Sequence, residues 1–137
     1  MATTTSVLAW STDYEFDAKV IRDRVPVMSG IYEVLQSTEY PRYHGSTKTL
    51  KIGMSKVNLQ QELLNHFIRH TAANRLSRIR SRSGLKVTFR YALAPVETAA
   101  SLEKHLLQRF EDAHWELPVL NSTRGYERGE DRHYCEA

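Results

Sequence analysis

Gly30-Ile31-Tyr32-Glu33-Val34-Leu35 and Thr49-Leu50-Lys51-Ile52-Gly53-Met54 are the two stretches on which the reading of this chain turns. The first is dense in β-branched and aromatic residues and closes in the turn-like stretch Ser37 to Ser46, so it reads as a strand followed by a loop. The second alternates, with Leu50, Ile52 and Met54 on one face and Thr49, Lys51 and Gly53 on the other. Two strands in this order make a short antiparallel pair, which can set Tyr32 and Lys51 side by side on one sheet face. Both side chains offer protons near a phosphate, and lysine adds charge that stabilises an anionic transition state. The commoner use of a strand tyrosine is packing, and of a strand lysine a solvated outer position.

Downstream, Asn58 is placed to cap a helix running to about residue 70, because Leu59, Leu63, Leu64, Phe67 and Ile68 recur at helical spacing. Its opposite stripe holds Glu62, Asn65, His66 and Arg69. Arg69 has the planar fork that suits a phosphate; His66 either relays a proton or faces solvent. A short arginine-rich helical stretch from Asn74 to Arg82 ends at Ser83-Gly84. Leu85 to Leu93 alternates as a third strand, with Lys86, Thr88 and Arg90 on its polar side. Pro95 opens a last helix over 96–113, whose apolar residues cover more than one face, as in the central helix of a core.

Within that helix Glu103 has Ala99, Ala100, Leu106 and Leu107 as neighbours three and four positions away, so a carboxylate lies along an apolar stripe. An enclosed carboxylate requires protonation, a cation or a metal ion; the alternative is a boundary residue that reaches water. Residues 1–28 read as an arm, 29–122 as the folded domain and 123–137 as a tail. The elements together give an α+β class.

The composition is that of an ordinary folded protein, with 41% hydrophobic and 26% charged residues over 137 positions. No apolar run approaches the ~18 residues that a bilayer span needs, and no basic flank precedes an apolar stretch at the start, which points to the cytoplasm. Cys135 is the only cysteine, which leaves no internal disulfide and no cysteine zinc site. The net charge is only +3, but no acidic residue lies between Glu62 and Glu97, while Arg69, Arg75, Arg78, Arg80, Arg82, Lys86 and Arg90 all do. Such a block is either a footprint for a phosphate backbone or a plain solvated face.

Taken in order, Gly30-Ile31-Tyr32, Lys51-Ile52-Gly53, a helix with a polar stripe, Leu102-Glu103 and Pro118-x-x-Asn121 resemble the GIY-YIG nuclease domain over about residues 28 to 122. The resemblance implies a small three-stranded antiparallel sheet flanked by helices. It also implies a single Mg²⁺ or Mn²⁺ held by Glu103, a water-orienting Tyr32, a helix arginine on the scissile phosphate, and support of the site by Gly30, Gly53 and Asn121. The sequence departs from the family pattern twice. Lys51 stands where the second tyrosine is usual, similar to a branch that carries lysine, and Gln60, Gln61 and Glu62 stand where the arginine is usual, so that its role passes to Arg69.

Two functions compete: a metal-dependent DNA endonuclease, and a catalytically inactive nucleic-acid-binding module of the same fold. A protein-interaction domain is a third. Specificity would come from the arm, the arginine-rich stretch, a second copy of the chain or a companion protein.

Overall fold

A computed structural model describes residues 8–65, 78–79 and 84–121. The elements are β1 (Tyr14–Glu15), α1 (Ala18–Arg24), β2 (Gly30–Pro41), β3 (Ser46–Ser55), α2 (Leu59–Asn65), β4 (Val87–Leu93) and α3 (Val96–His114). The class is α+β, and all strand pairings are antiparallel in the order β1-β4-β2-β3. The sheet thus has four strands where three were expected. The additional one comes from the expected arm, where Tyr14 and Glu15 pair with Phe89 and Thr88 along the outer edge of β4. Two residues are too short to show a period, so only the tertiary pairing reveals them.

The same segment supplies much of the core. Asp17 caps α1 by accepting from the Lys19 and Val20 amides, and Phe16, Ile21 and Val25 are buried. They pack with Tyr32, Val34, Leu59, Leu63 and Phe89, with Phe16 set edge-on to Phe89 at 5.9 Å. Asn58 caps α2 through the Gln61 amide at 2.9 Å, as its position in the sequence implies.

β2 is the central strand, with β4 on one side and β3 on the other. Its pairing with β3 sets Tyr32 opposite Gly53 and Val34 opposite Lys51, then skips a residue so that Leu35 meets Thr49. The skip is a bulge at Leu50, which joins the core of Tyr32 and Val34 despite the simple alternation that groups it with Ile52.

α3 packs beside β3 and β2 on one stripe only, burying Ala99, Glu103, Leu107 and Phe110. Val96, Lys104, His105, Gln108 and Arg109 are exposed, so the helix lies at the flank of the core and not at its centre. Among the described residues no helix is long and apolar enough to cross a membrane.

Candidate functional site

The two tripeptides meet across the β2–β3 pair. Tyr32 lies directly opposite Gly53, and side chains directly opposite in an antiparallel pair share a face. The glycine is required by this arrangement. A Cβ at position 53 would stand 2.8 Å from Tyr32 Cε2 and nearer still to Cζ and the hydroxyl oxygen. The ring therefore lies flat over bare backbone and is fully buried. Gly30 serves close packing in the same way, since a Cβ there would meet the Ala92 carbonyl and come within 2.7 Å of Leu59 Cδ1.

The Tyr32 hydroxyl donates to Glu62 Oε2 at 3.1 Å. Glu62 extends from α2, half-buried, and fixes the direction of the hydroxyl. Sequence reasoning placed Glu62 on the polar stripe without assigning it a role. No local pattern links it to a tyrosine thirty positions earlier. Lys51 is half-buried and shares the Tyr32 face, one pair along the ladder, because residues two apart on a strand point the same way.

Asn121 clamps the second tripeptide. Its Oδ1 accepts from the Ile52 amide at 2.9 Å and its Nδ2 donates to the Ile52 carbonyl at 2.8 Å. One residue earlier, the Leu120 amide donates to the Leu50 carbonyl at 2.9 Å. The segment after Pro118 thus continues the ladder on the open side of β3 and holds the bulge in place. Tyr40 ties the same segment to the hairpin: its hydroxyl donates to the Thr49 carbonyl and accepts from the Val119 amide at 3.2 Å. Burial pushes the Tyr40 phenol above its usual range.

Glu103 is buried on α3. Its carboxylate is 1% exposed, and it shares the α3 stripe with Leu107 and Phe110, which pack against Ile52. Ile52 points away from the face of Gly53 and Lys51.

Arg90, expected on a basic outer face, is engaged within the fold. Its Nε and Nη2 donate to Glu33 Oε1 at 2.8 and 2.7 Å, Glu33 Oε2 accepts from the Thr49 hydroxyl, and the guanidinium lies 4.3 Å from the centre of the Trp10 ring. A phosphate contact at Arg90 would have to compete with that carboxylate. Arg78 and Lys86 are exposed. His66, Arg69, Arg75, Arg80 and Arg82 lie outside the described residues, as does the tail over 123–137.

Among the described residues no group of three or more His, Cys, Asp or Glu side chains is gathered to hold a metal ion. A hard divalent cation bound through one carboxylate, with water and phosphate oxygens in its other positions, does not need such a group. Glu103 has the oxygen-donor chemistry for that arrangement.

No protein-family model, no curated protein and no solved structure matches the chain.

Proposed function

We propose that this chain is a metal-dependent DNA endonuclease of the GIY-YIG kind. The observation that supports the reading most is the junction of the two tripeptides. Tyr32 lies over Gly53 with its hydroxyl directed by Glu62, and Ile52 is fixed at both backbone groups by Asn121. A packing tyrosine in a sheet has no need of a bare glycine opposite it, of a carboxylate acceptor, and of a side-chain clamp on the neighbouring strand.

In this reading Lys51 contributes positive charge where the phosphate becomes more negative, which lowers the barrier by electrostatic stabilisation. Tyr32 orients the attacking water, Arg69 binds the scissile phosphate and His66 moves a proton. Gly30, Gly53 and Asn121 keep the strands in register. Glu103 holds one Mg²⁺ or Mn²⁺, which when bound supplies charge neutralisation at the phosphoryl oxygen and leaving group. Arg75, Arg78, Arg80, Arg82 and Lys86 form the duplex-binding block. A second copy or a companion protein supplies specificity.

The test is cleavage of supercoiled plasmid and linear duplex with Mg²⁺, with Mn²⁺ and with EDTA. Metal-dependent nicking supports the reading, and intact DNA under all three conditions removes it. One observation favours the second reading, a binding module without catalysis. Glu62 puts a carboxylate on the helix face that meets Tyr32, where the family carries an arginine. Salt-dependent duplex binding without cleavage would establish that reading.

A further inference from the structure

The turn between β2 and β3 carries Tyr43 and His44 and meets the C-terminal end of α3. Trp115 caps that helix in the left-handed region, at φ 67°, and is the only non-glycine residue with positive φ among those described. Glycine or asparagine is usual at such a position, because a Cβ is disfavoured there. Trp115 does not recover the penalty by burial: it is 59% exposed, and Tyr43 is 78% exposed.

The indole is nevertheless held firmly. The His44 imidazole stacks on it at 4.6 Å and 18°, and the Tyr43 ring stands 5.8 Å away. His44 is itself fixed, its amide donating to the His114 carbonyl at 3.1 Å and its Nδ1 lying 3.0 Å from the Ala113 carbonyl. One indole face is thereby backed by a fixed ring, while the residue as a whole remains exposed. An open cleft of about 450 Å³ is lined by Trp115 together with Arg42, Glu111, Glu116, Leu117 and Asn121. Asn121 is the clamp on Ile52, so the cleft reaches the edge of β3 that carries Lys51-Ile52-Gly53.

The chemistry of this cleft selects its ligand. Arg42 is already paired with Glu116 at 3.2 Å and with the Leu117 carbonyl at 2.7 Å, so the cleft is a poor site for a bare phosphate. The Tyr43 and His44 rings both lie against the Trp115 ring. What remains is a flat, backed π-surface beside hydrogen-bonding groups of both polarities, which suits a planar heteroaromatic ring with a polar edge. A base inside a duplex has its faces covered by its neighbours. We propose that this cleft binds an unpaired nucleobase, stacked on Trp115, in single-stranded or locally opened nucleic acid. The proposal rests on the nucleic-acid reading given above, and it adds a site outside the basic block and the two tripeptides.

Trp10 and Trp115 are the only tryptophans. Trp10→Phe keeps a ring over Arg90 and makes Trp115 the sole indole reporter. That protein, in EDTA so that no strand is cut, is titrated with a twelve-residue oligothymidylate and with an abasic strand of equal phosphate count. Trp115 emission should be quenched by the first and little changed by the second. In the otherwise wild-type chain, Trp115→Gly suits the left-handed cap and so folds at least as readily. It should weaken oligothymidylate binding by about tenfold or more, and Trp115→Phe should recover part of the loss. Equal quenching by the abasic strand, or unchanged binding by Trp115→Gly, overturns the proposal. So does a Trp115-dependent self-association in sedimentation, which would assign the aromatic face to a second copy. Duplex binding and cleavage without base-dependent quenching remove this site and leave the endonuclease reading standing. Binding to no nucleic acid of any kind removes both.

Discussion

Gly53→Ala adds a single methyl group and tests the junction between the tripeptides directly. The backbone at Gly53 is not in the left-handed region, so alanine brings no conformational strain, and the whole effect comes from contact. The new Cβ falls on the Tyr32 ring and its hydroxyl. The ring cannot move to solvent, because it is fully buried among Ile21, Leu59 and Leu63. Overpacking of this kind costs about 1–3 kcal/mol. At roughly 2–4 °C per kcal/mol for a chain of this size, the melting temperature should fall by several degrees. Part of that cost is displacement of the hydroxyl from Glu62. Urea unfolding of Gly53→Ala, Tyr32→Leu and the double variant isolates the contact, since leucine lacks the ring atoms that the methyl group meets. The two changes should be non-additive by at least about 1 kcal/mol, with Gly53→Ala costing little once Tyr32 is leucine. A full loss in both backgrounds, or no loss in either, would refute the packing argument and with it the reason for a glycine at this position.

Asn121→Ala leaves the Ile52 amide and carbonyl without their partner and should cost about 1–3 kcal/mol for the two hydrogen bonds; amide exchange at Ile52 should accelerate, and unchanged protection there would show that the clamp is dispensable. Tyr40 is held protonated by burial, so its contribution to stability is complete below about pH 10 and is lost as pH rises through its raised value. Tyr40→Phe should therefore lower stability at pH 8 by about 1 kcal/mol through the lost contacts to Thr49 and Val119, yet flatten the decline between pH 9 and 11; an identical alkaline slope in both proteins would contradict this. Glu103→Gln should abolish metal-dependent cleavage while leaving the metal-free melting temperature unchanged or higher, and added Mg²⁺ or Mn²⁺ should stabilise only the wild type. A Glu103→Gln protein that melts several degrees lower in EDTA but still cuts DNA would assign Glu103 to an ion pair in the core.

What the sequence discloses and what it conceals follow one physical division. β3, β4 and α3 are long enough to show their periods, and Asn58 announces the start of α2 by its position before an apolar run, whereas the expected loop from Ser37 is strand as far as Pro41 because Tyr40 and Pro41 pair with Thr47 and Ser46. The features that escaped are made by partners distant in sequence. Tyr14 and Glu15 become a strand because Phe89 and Thr88 present an unpaired edge. Glu33 and Arg90, 57 positions apart, are joined because the β2–β4 register places them opposite each other, which gives the expected outer cation a carboxylate partner. The bulge at Leu50 breaks the alternation that strand reading depends on. α3 carries apolar residues beyond its buried stripe, so composition alone placed it too deep. In the candidate site, the glycines and Asn121 were legible from the order of short motifs. The Glu62 contact was not.

The clamp at Asn121 also bears on how the chain avoids sticking to its neighbours while it folds. β3 is an outer strand, and an outer strand offers its free amides and carbonyls to any other extended peptide. During synthesis the β2–β3 hairpin is complete long before residues 118–121 emerge, so for that interval the edge at Lys51-Ile52-Gly53 is a template for intermolecular pairing. Once the segment after Pro118 docks, the Leu120 amide and one carboxamide occupy the positions where a fifth strand would begin. One backbone amide and one side chain thus end the sheet, and they do so at the tripeptide where an uninvited strand would do the most harm.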